Sequence, residues 1–413
     1  MTLLSEASFL VTPNGYKASK LYAAIPTNGN GDMTVTRATT ATRVDENDLV
    51  SSVASNVPRI DYTGGGCPSI LLEPQRTNLV LRSQEFDSTS WVHNANITVT
   101  SSSELAPNGN LEANLIEYDG SGYSFIRRTI NATPTVATLS VFAKKGNWRY
   151  LGLRNFQTSG THTVFDFDTE TFANIASGQT ASFEIFSNGW YRIKVTQPSP
   201  EANNYVGFAI TNSSGIELDA TGGQVANIHL WGAQLEEGSY PTSYIPTVAS
   251  TVTRLKDECT NGGNADLFND SEGTVFVDLE NFDTPSAQLT LSNGFSTNRI
   301  TFIFRGSEFA FPNTIRFYLA SAGSAQVDSQ YNISYTFNQR NKIAFKYKQN
   351  DFKIYINGTQ VYSDTSGNTP IGLSRFDFAS SSSTSGFIEG KINQAMVFNE
   401  ALSDSELQTL TTL

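Results

Sequence analysis

The sequence predicts an all-β protein built from antiparallel β-sandwiches, and three observations carry that expectation. Apolar residues recur with a period of two in many short runs. Turn dipeptides rich in Gly and Asn separate those runs. Helical periodicity is almost absent. At about 100–200 residues per domain, 413 residues allow two or three domains.

The strand signals run from about Ile97 onward. In Trp190–Val195, Tyr191, Ile193 and Val195 share one face, and Arg192 and Lys194 share the other with Trp190. Val275, Val277 and Leu279 alternate with Phe276, Asp278 and Glu280, and Ile343, Phe345 and Tyr347 with Ala344, Lys346 and Lys348. Phe352, Ile354 and Ile356 lead into Asn357-Gly358, and Thr359–Tyr362 returns. Asn-Gly tolerates positive φ at both turn positions, so a type I′ hairpin is expected, and Asn188-Gly189 is a similar signal. The best helical signal is the capping-box pattern Ser403–Glu406 before Leu407 and Leu410, enough for a short helix.

Composition narrows the classes. A net charge of −12 with no Lys/Arg cluster argues against a nucleic-acid partner. Aromatic residues at 11% do not fit a disordered chain, and no apolar run is long enough for a membrane helix. Met1–Pro13 holds only a short apolar patch, Ala7–Val11, without a basic flank, so no signal peptide is expected. Two cysteines, Cys67 and Cys259, lie far apart outside any CxxC. They are either separate thiols or one disulfide joining the start of the middle block to its end. Three histidines make a His-rich metal site an unpromising reading.

Composition shifts divide the chain into residues 1–75, a mixed Thr/Gly/Pro-rich attachment or docking region; 76–258, a strand-rich block ending in Tyr240–Pro246; and 259–413, a second strand-rich block. Prolines in Tyr240–Pro246 argue against regular ladder structure there.

Two strings carry a resemblance. One is Pro58–Tyr62 with Gly66–Leu79; the other is His229–Gly238 with Tyr240–Pro246 and Val252–Arg254. Together they resemble a family of bacteriophage and prophage virion proteins (tail, fibre or other structural parts), over roughly residues 1–258. The Cys-Pro-Ser form at Cys67–Ser69 is similar to versions from phages of Bacteroidetes hosts. The block between the strings resembles carbohydrate-binding jelly rolls, through Leu139–Gly146 and Asn188–Val195. The last block resembles concanavalin A-like (laminin G-like) domains, through Phe352–Tyr362, Gly390–Phe398 and Ala401–Leu407. The charges within the strings (Arg59, Asp61, Glu73, Arg76, Arg254) have a structural reading: charge-assisted hydrogen bonds that hold irregular backbone.

No catalytic signature is present: no Gly-x-Ser-x-Gly, Walker A loop, dinucleotide fingerprint or His-Glu-x-x-His. Asp278 and Glu280 on one strand face form the obvious glycosidase-like pair, and a solvated outer face is the plainer explanation. Asp166, Asp168 and Glu170 offer oxygen ligands, so a structural calcium is considered. Sugar recognition needs aromatic faces beside polar groups, which singles out Trp148 and Tyr150 at a turn and Trp190 and Arg192 on a strand, with Trp91 a further aromatic; core packing is the competing role.

The resemblance therefore implies a non-enzymatic virion component, assembled in the host cytoplasm. It would contact other virion proteins and copies of itself, as a homo-oligomer such as a trimer, and display sandwiches toward host-surface glycan. A glycan depolymerase or lyase domain and a secreted bacterial carbohydrate-binding protein are the alternatives.

Overall fold

The computed structural model describes residues 3–156, 161–201, 204–218, 223–282, 286–306, 313–329 and 333–413. The chain is all-β, with one short α-helix among the described residues, at Asp404–Thr411. It folds as two sandwiches, one inserted into the other.

The outer sandwich pairs an eleven-stranded sheet with a six-stranded one. At the centre of the large sheet lies Gly390–Phe398, between Glu272–Asn281 on one side and Ala7–Lys17 on the other. Beyond Glu272–Asn281 come Arg340–Lys348, Asp351–Ile356 and Thr359–Asp364. Beyond Ala7–Lys17 come Lys20–Ile25, Met33–Thr36 and Glu258–Thr260. The facing sheet runs Ser324–Asp328, Thr314–Ser321, Arg299–Arg305, Ala287–Ser292 and Arg375–Asp377.

Residues 1–75 therefore do not stand apart as a docking region. Ala7 pairs with Phe398 and Val11 with Ala395, while Ile70 and Leu72 pair with Ile392 and Gly390. Phe9, Val11, Leu21, Met33, Val35, Ile60, Ile70 and Leu72 enter the same core as Val275, Val277, Leu279, Phe302 and Phe345. Composition alone places the boundary at 75 because it is blind to strand pairing between residues almost 400 positions apart.

The alternation expected at Val275–Glu280 holds, but the opposite face is not simply polar. Phe276 lies under the C-terminal helix with Leu10, Met396, Phe398 and Leu407. The capping box forms as expected: Ser403 N–H donates to Glu406 Oε2 at 2.7 Å, and the Ser403 hydroxyl accepts from Glu406 N–H. At the expected hairpin, Asn357 and Gly358 take φ of 49° and 79°, the left-handed pair that a type I′ turn needs.

The inserted sandwich hangs from a two-stranded stalk. Arg76–Asn78 leaves the outer sandwich and Val252–Arg254 returns beside it, with Asn78 opposite Val252 and Arg76 opposite Arg254. Between them, Ile97–Leu105, Leu111–Tyr118, Ala226–Glu237, Ala137–Lys145, Trp190–Gln197 and Thr180–Phe186 form one six-stranded sheet. Thr171–Asn174, Thr163–Asp166, Tyr150–Asn155, Tyr205–Ile210, Phe125–Thr129 and Val92–His93 form the other. Leu139, Val141, Ile193, Val195, Leu151, Leu153, Phe165 and Phe208 fill the space between them.

Candidate functional site: the cleft between the sandwiches

The two sandwiches meet through a buried charged lattice. Arg59 lies at its centre, paired to Glu73 at 2.6 Å and to Asp257. Arg37 reaches Asp257 at 2.8 Å, and Arg254 donates to the Pro74 carbonyl at 2.6 Å. Glu73 also accepts from the backbone N–H and hydroxyl of Ser243, each at 2.7 Å, which ties the end of the inserted sandwich to the outer one. Burial favours the neutral acid at Glu73, but Arg59 and Arg254 outweigh it and hold the carboxyl well below the usual range. Three of the charges in the resemblance-bearing strings, Arg59, Glu73 and Arg254, thus sit in this lattice. Asp61 accepts from Val44 N–H at 2.9 Å, and Arg76 lies over the Tyr240 ring at 5.5 Å.

The second string builds the roof. Tyr240–Pro246 crosses the outer face of the inserted sandwich's first sheet, and its prolines keep it out of the ladder. Thr242 donates to Glu236, Gln234 donates to the Thr242 carbonyl, and Tyr244 packs on Trp231 at 4.7 Å between ring centroids. Val44 and Val50 of the hairpin Ala41–Val44/Val50–Val53 close over Phe142, Phe186, Trp190 and Trp231 from the other side.

Where this cover stops, a cavity of about 460 Å³ remains between the sandwiches. Its floor is the outer face of Thr180–Phe186 and Trp190–Gln197, where Glu184 stands opposite Arg192 and Ser182 opposite Lys194. Arg43, Asp61, Glu280, Phe282 and Lys391 line the facing walls. Lys194 Nζ lies 2.6 Å from Glu184 Oε1, and Lys391 Nζ lies 3.8 Å from Asp61. Burial works against the charge on Glu184, yet Lys194, Arg192 and Lys391 together hold its carboxyl below its ordinary value. Lys194 is pushed down by burial, and Arg192 and Lys391 add to that against Glu184. Four ionisable groups from both sandwiches thus sense one another across the opening.

The sugar-binding residues expected from sequence do not converge. Trp190 is 1% exposed, under the Val44/Val50 cover, with its indole N–H donating to the Leu105 carbonyl at 3.0 Å. It is a packing residue of the junction. Arg192 is 6% exposed, donating to Ser140 Oγ and the Thr242 carbonyl, and it reaches the cleft only at its edge. The two-residue alternation places both on an outer face correctly; what sequence misses is that another segment covers that face. Trp148 and Tyr150 stay half-buried elsewhere, at one end of the inserted sandwich. The Trp148 indole donates to the Thr211 carbonyl at 2.9 Å, and the Arg149 guanidinium lies 5.1 Å from the Tyr150 ring. Trp91 is core, packed on Phe86 and Phe208.

The acidic groups also find protein partners. Arg149 grips Asp166 through two hydrogen bonds of 2.6 and 2.7 Å, and Lys145 takes Asp168 at 2.5 Å. Burial would raise the Asp166 carboxyl, but Arg149 brings it down to about 2. Among the described residues no three ligating side chains gather as a metal cluster. Asp278 is held by Arg340 at 2.8 and 2.6 Å and by Asn393 at 3.0 Å, while Glu280 turns to the cleft. Of the two readings of the cysteines, separate thiols holds and the disulfide does not form: Cys67 is exposed beside three glycines, whereas Cys259 is buried with its sulfur 3.7 Å from that of Met33.

A second polar and aromatic strip, with no sequence signal, lies on the outer face of the inserted sandwich's other sheet. Arg127 sits 5.3 Å from the Tyr205 ring, and Arg154 donates to the Tyr205 hydroxyl at 2.7 Å. Beneath it His162 is fully buried and pushed down to about 3 by burial and by Arg154.

Residues 267–408 match the concanavalin A-like lectin/glucanases superfamily, a span that lies within the outer sandwich. Among solved structures the chain is similar to domain 4 of an extracellular arabinanase from Geobacillus stearothermophilus in complex with arabinotriose, at 14% identity over 43% of this chain and 84% of that one, TM-score 0.31. It is also similar to the CBM40 of the Ruminococcus gnavus IT-sialidase bound to α2,3-sialyllactose (16% identity, 36% and 86% covered, TM-score 0.30). A third is the NanB sialidase from Streptococcus pneumoniae (20% identity, 36% and 25% covered, TM-score 0.30). No curated protein matches the sequence. Among the described residues no helix is long and apolar enough to cross a membrane.

Proposed function

We propose that this chain is a glycan-binding, non-catalytic structural component displayed on a bacteriophage virion. The observation that carries glycan binding is the superfamily match over 267–408, a superfamily described by lectins and glucanases. The virion setting rests on the strings around Arg59 and Tyr240, which build the lattice and the roof of the cleft. In this reading, residues 1–75 belong to the displayed body, so contacts with other virion proteins and with sister copies use its outer surface.

A binding role is supported over a catalytic one by the state of the one carboxylate pair that sequence singles out. A glycosidase pair needs two carboxylates facing one bond, whereas Asp278 is held by Arg340 and Asn393 away from the cleft that Glu280 lines. Rigid sandwiches that present shallow sites suit adhesion, where many weak contacts add through effective concentration. The test is a glycan array and a host-cell binding assay on the full chain, with and without EDTA. Specific retention on glycan or cells is expected. A folded sample that binds neither would leave a purely structural part.

A further inference from the structure

The cleft is asymmetric in how its charges are used. Of the carboxylates on its walls, Asp61 is committed to the Val44 and Thr63 amides and Glu73 to Arg59 and Ser243. Glu184 is committed to Lys194. That leaves Glu280, which stands across the strand pair from Lys391. The cations are less fully spent. Arg43 gives one hydrogen bond, to the Ile60 carbonyl, and its Nε is buried without a partner. Arg192 donates from Nη2 only to neutral oxygens, and its Nε is also buried without a partner. Lys391 meets Asp61 only at 3.8 Å. Hydrogen bonds from amides leave the charge on Asp61 in place, so with Glu73 set against Arg59 and Glu184 against Lys194, the three cations Arg43, Arg192 and Lys391 face two carboxylates, Asp61 and Glu280. One positive charge is left over in a partly desolvated space, where an unmatched charge is costly and an incoming anion is strongly held.

Resting on the glycan-binding reading above, we infer that the cleft between the sandwiches is a binding site for an acidic saccharide. Its carboxylate or sulfate group is taken by Arg43 and Lys391, with the buried charge of Arg192 behind them, and its hydroxyls by Glu280 and Ser182. The volume, about 460 Å³, falls within the usual range for small-ligand sites of about 300–1,000 Å³. Phe282 offers apolar surface for a sugar C–H face beside the charges. Both sandwiches and the hairpin at 41–53 contribute, so the site exists only in the joined molecule.

The test prints uronate-, sialate- and sulfate-bearing glycans beside their neutral cores and applies the full chain, Lys391→Gln, Arg43→Gln and, as a control on an exposed ion pair elsewhere, Lys348→Gln. Melting temperatures confirm that each variant is folded. The full chain is expected to bind acidic glycans at least about 10-fold more tightly than their neutral cores. Lys391→Gln and Arg43→Gln should each lose about 10-fold while Lys348→Gln stays unchanged. Binding should weaken from 50 to 500 mM salt (about these values), as screening requires. If neutral cores bind as well as acidic ones, or if neither cleft variant changes binding, the acidic-cleft inference is overturned while glycan binding stands. Binding to no glycan at all overturns both.

Discussion

Replacing Arg59 by methionine probes the lattice that joins the sandwiches. Arg59 is 1% exposed and bridges Glu73 and Asp257, themselves 4% and 3% exposed. Methionine keeps much of the volume but leaves both carboxylates buried without their main partner. Breaking a buried ion pair from one side costs about 3–5 kcal/mol. At about 2–4 °C per kcal/mol for a domain of this size, the melting temperature should fall by roughly 6–20 °C. The pH dependence separates this cause from lost packing. In the native chain Glu73 has a depressed pKa, so its stabilisation is fully present above the unfolded value of about 4.3 and is lost as pH falls toward the folded value. Without Arg59, burial dominates and raises that pKa, so the penalty at neutral pH is relieved on acidification. The gap between native and variant chains, measured by urea unfolding, should therefore shrink from pH 7 to about pH 4. A variant that melts within a degree of the native chain, or a gap unchanged with pH, would refute the lattice as the lock between the sandwiches.

Four further outcomes follow from the fold. Deleting residues 1–75 should unfold the outer sandwich, because Phe9, Val11 and Met33 leave its core. Excising 79–251 and joining Asn78 to Val252 through Asn-Gly should instead leave it folded, since those residues already face each other; circular dichroism and melting of the two products distinguish the cases. Leu407→Ala should destabilise the outer sandwich by about 2–5 kcal/mol by removing the helix's fully buried anchor, as read by denaturant unfolding. His162 has a folded pKa of about 3, below its ordinary 6.5, so the stability it confers is present above about pH 6.5 and lost as pH falls toward 3. Glu217, 3.6 Å away and raised by burial, opposes part of that loss. His162→Gln should flatten the acid limb of stability against pH.

The local grammar of this chain was readable in sequence wherever one face of a strand or one turn decided the outcome. The Asn357-Gly358 hairpin, the Ser403 capping box and the alternation in Trp190–Val195 required only neighbours within a few residues. What escaped was set by residues far apart. The pairing of Ala7–Lys17 with Gly390–Phe398 and the insertion of one sandwich into the other depend on closure across the whole chain. The site suffered for the same reason. Trp190 and Arg192 were placed on the right face, but the segment Tyr240–Pro246 and the hairpin at 41–53 cover it. The cleft joins Lys391, Glu184 and Arg43, which share no motif and meet only after both sandwiches dock.

The most direct measurement is a crystal structure of the full chain soaked with the tightest acidic glycan from the array. The expected result is ligand between the sandwiches, with its anionic group on Arg43 and Lys391. Ligand bound on an outer face of either sandwich, with the cleft empty, would contradict it.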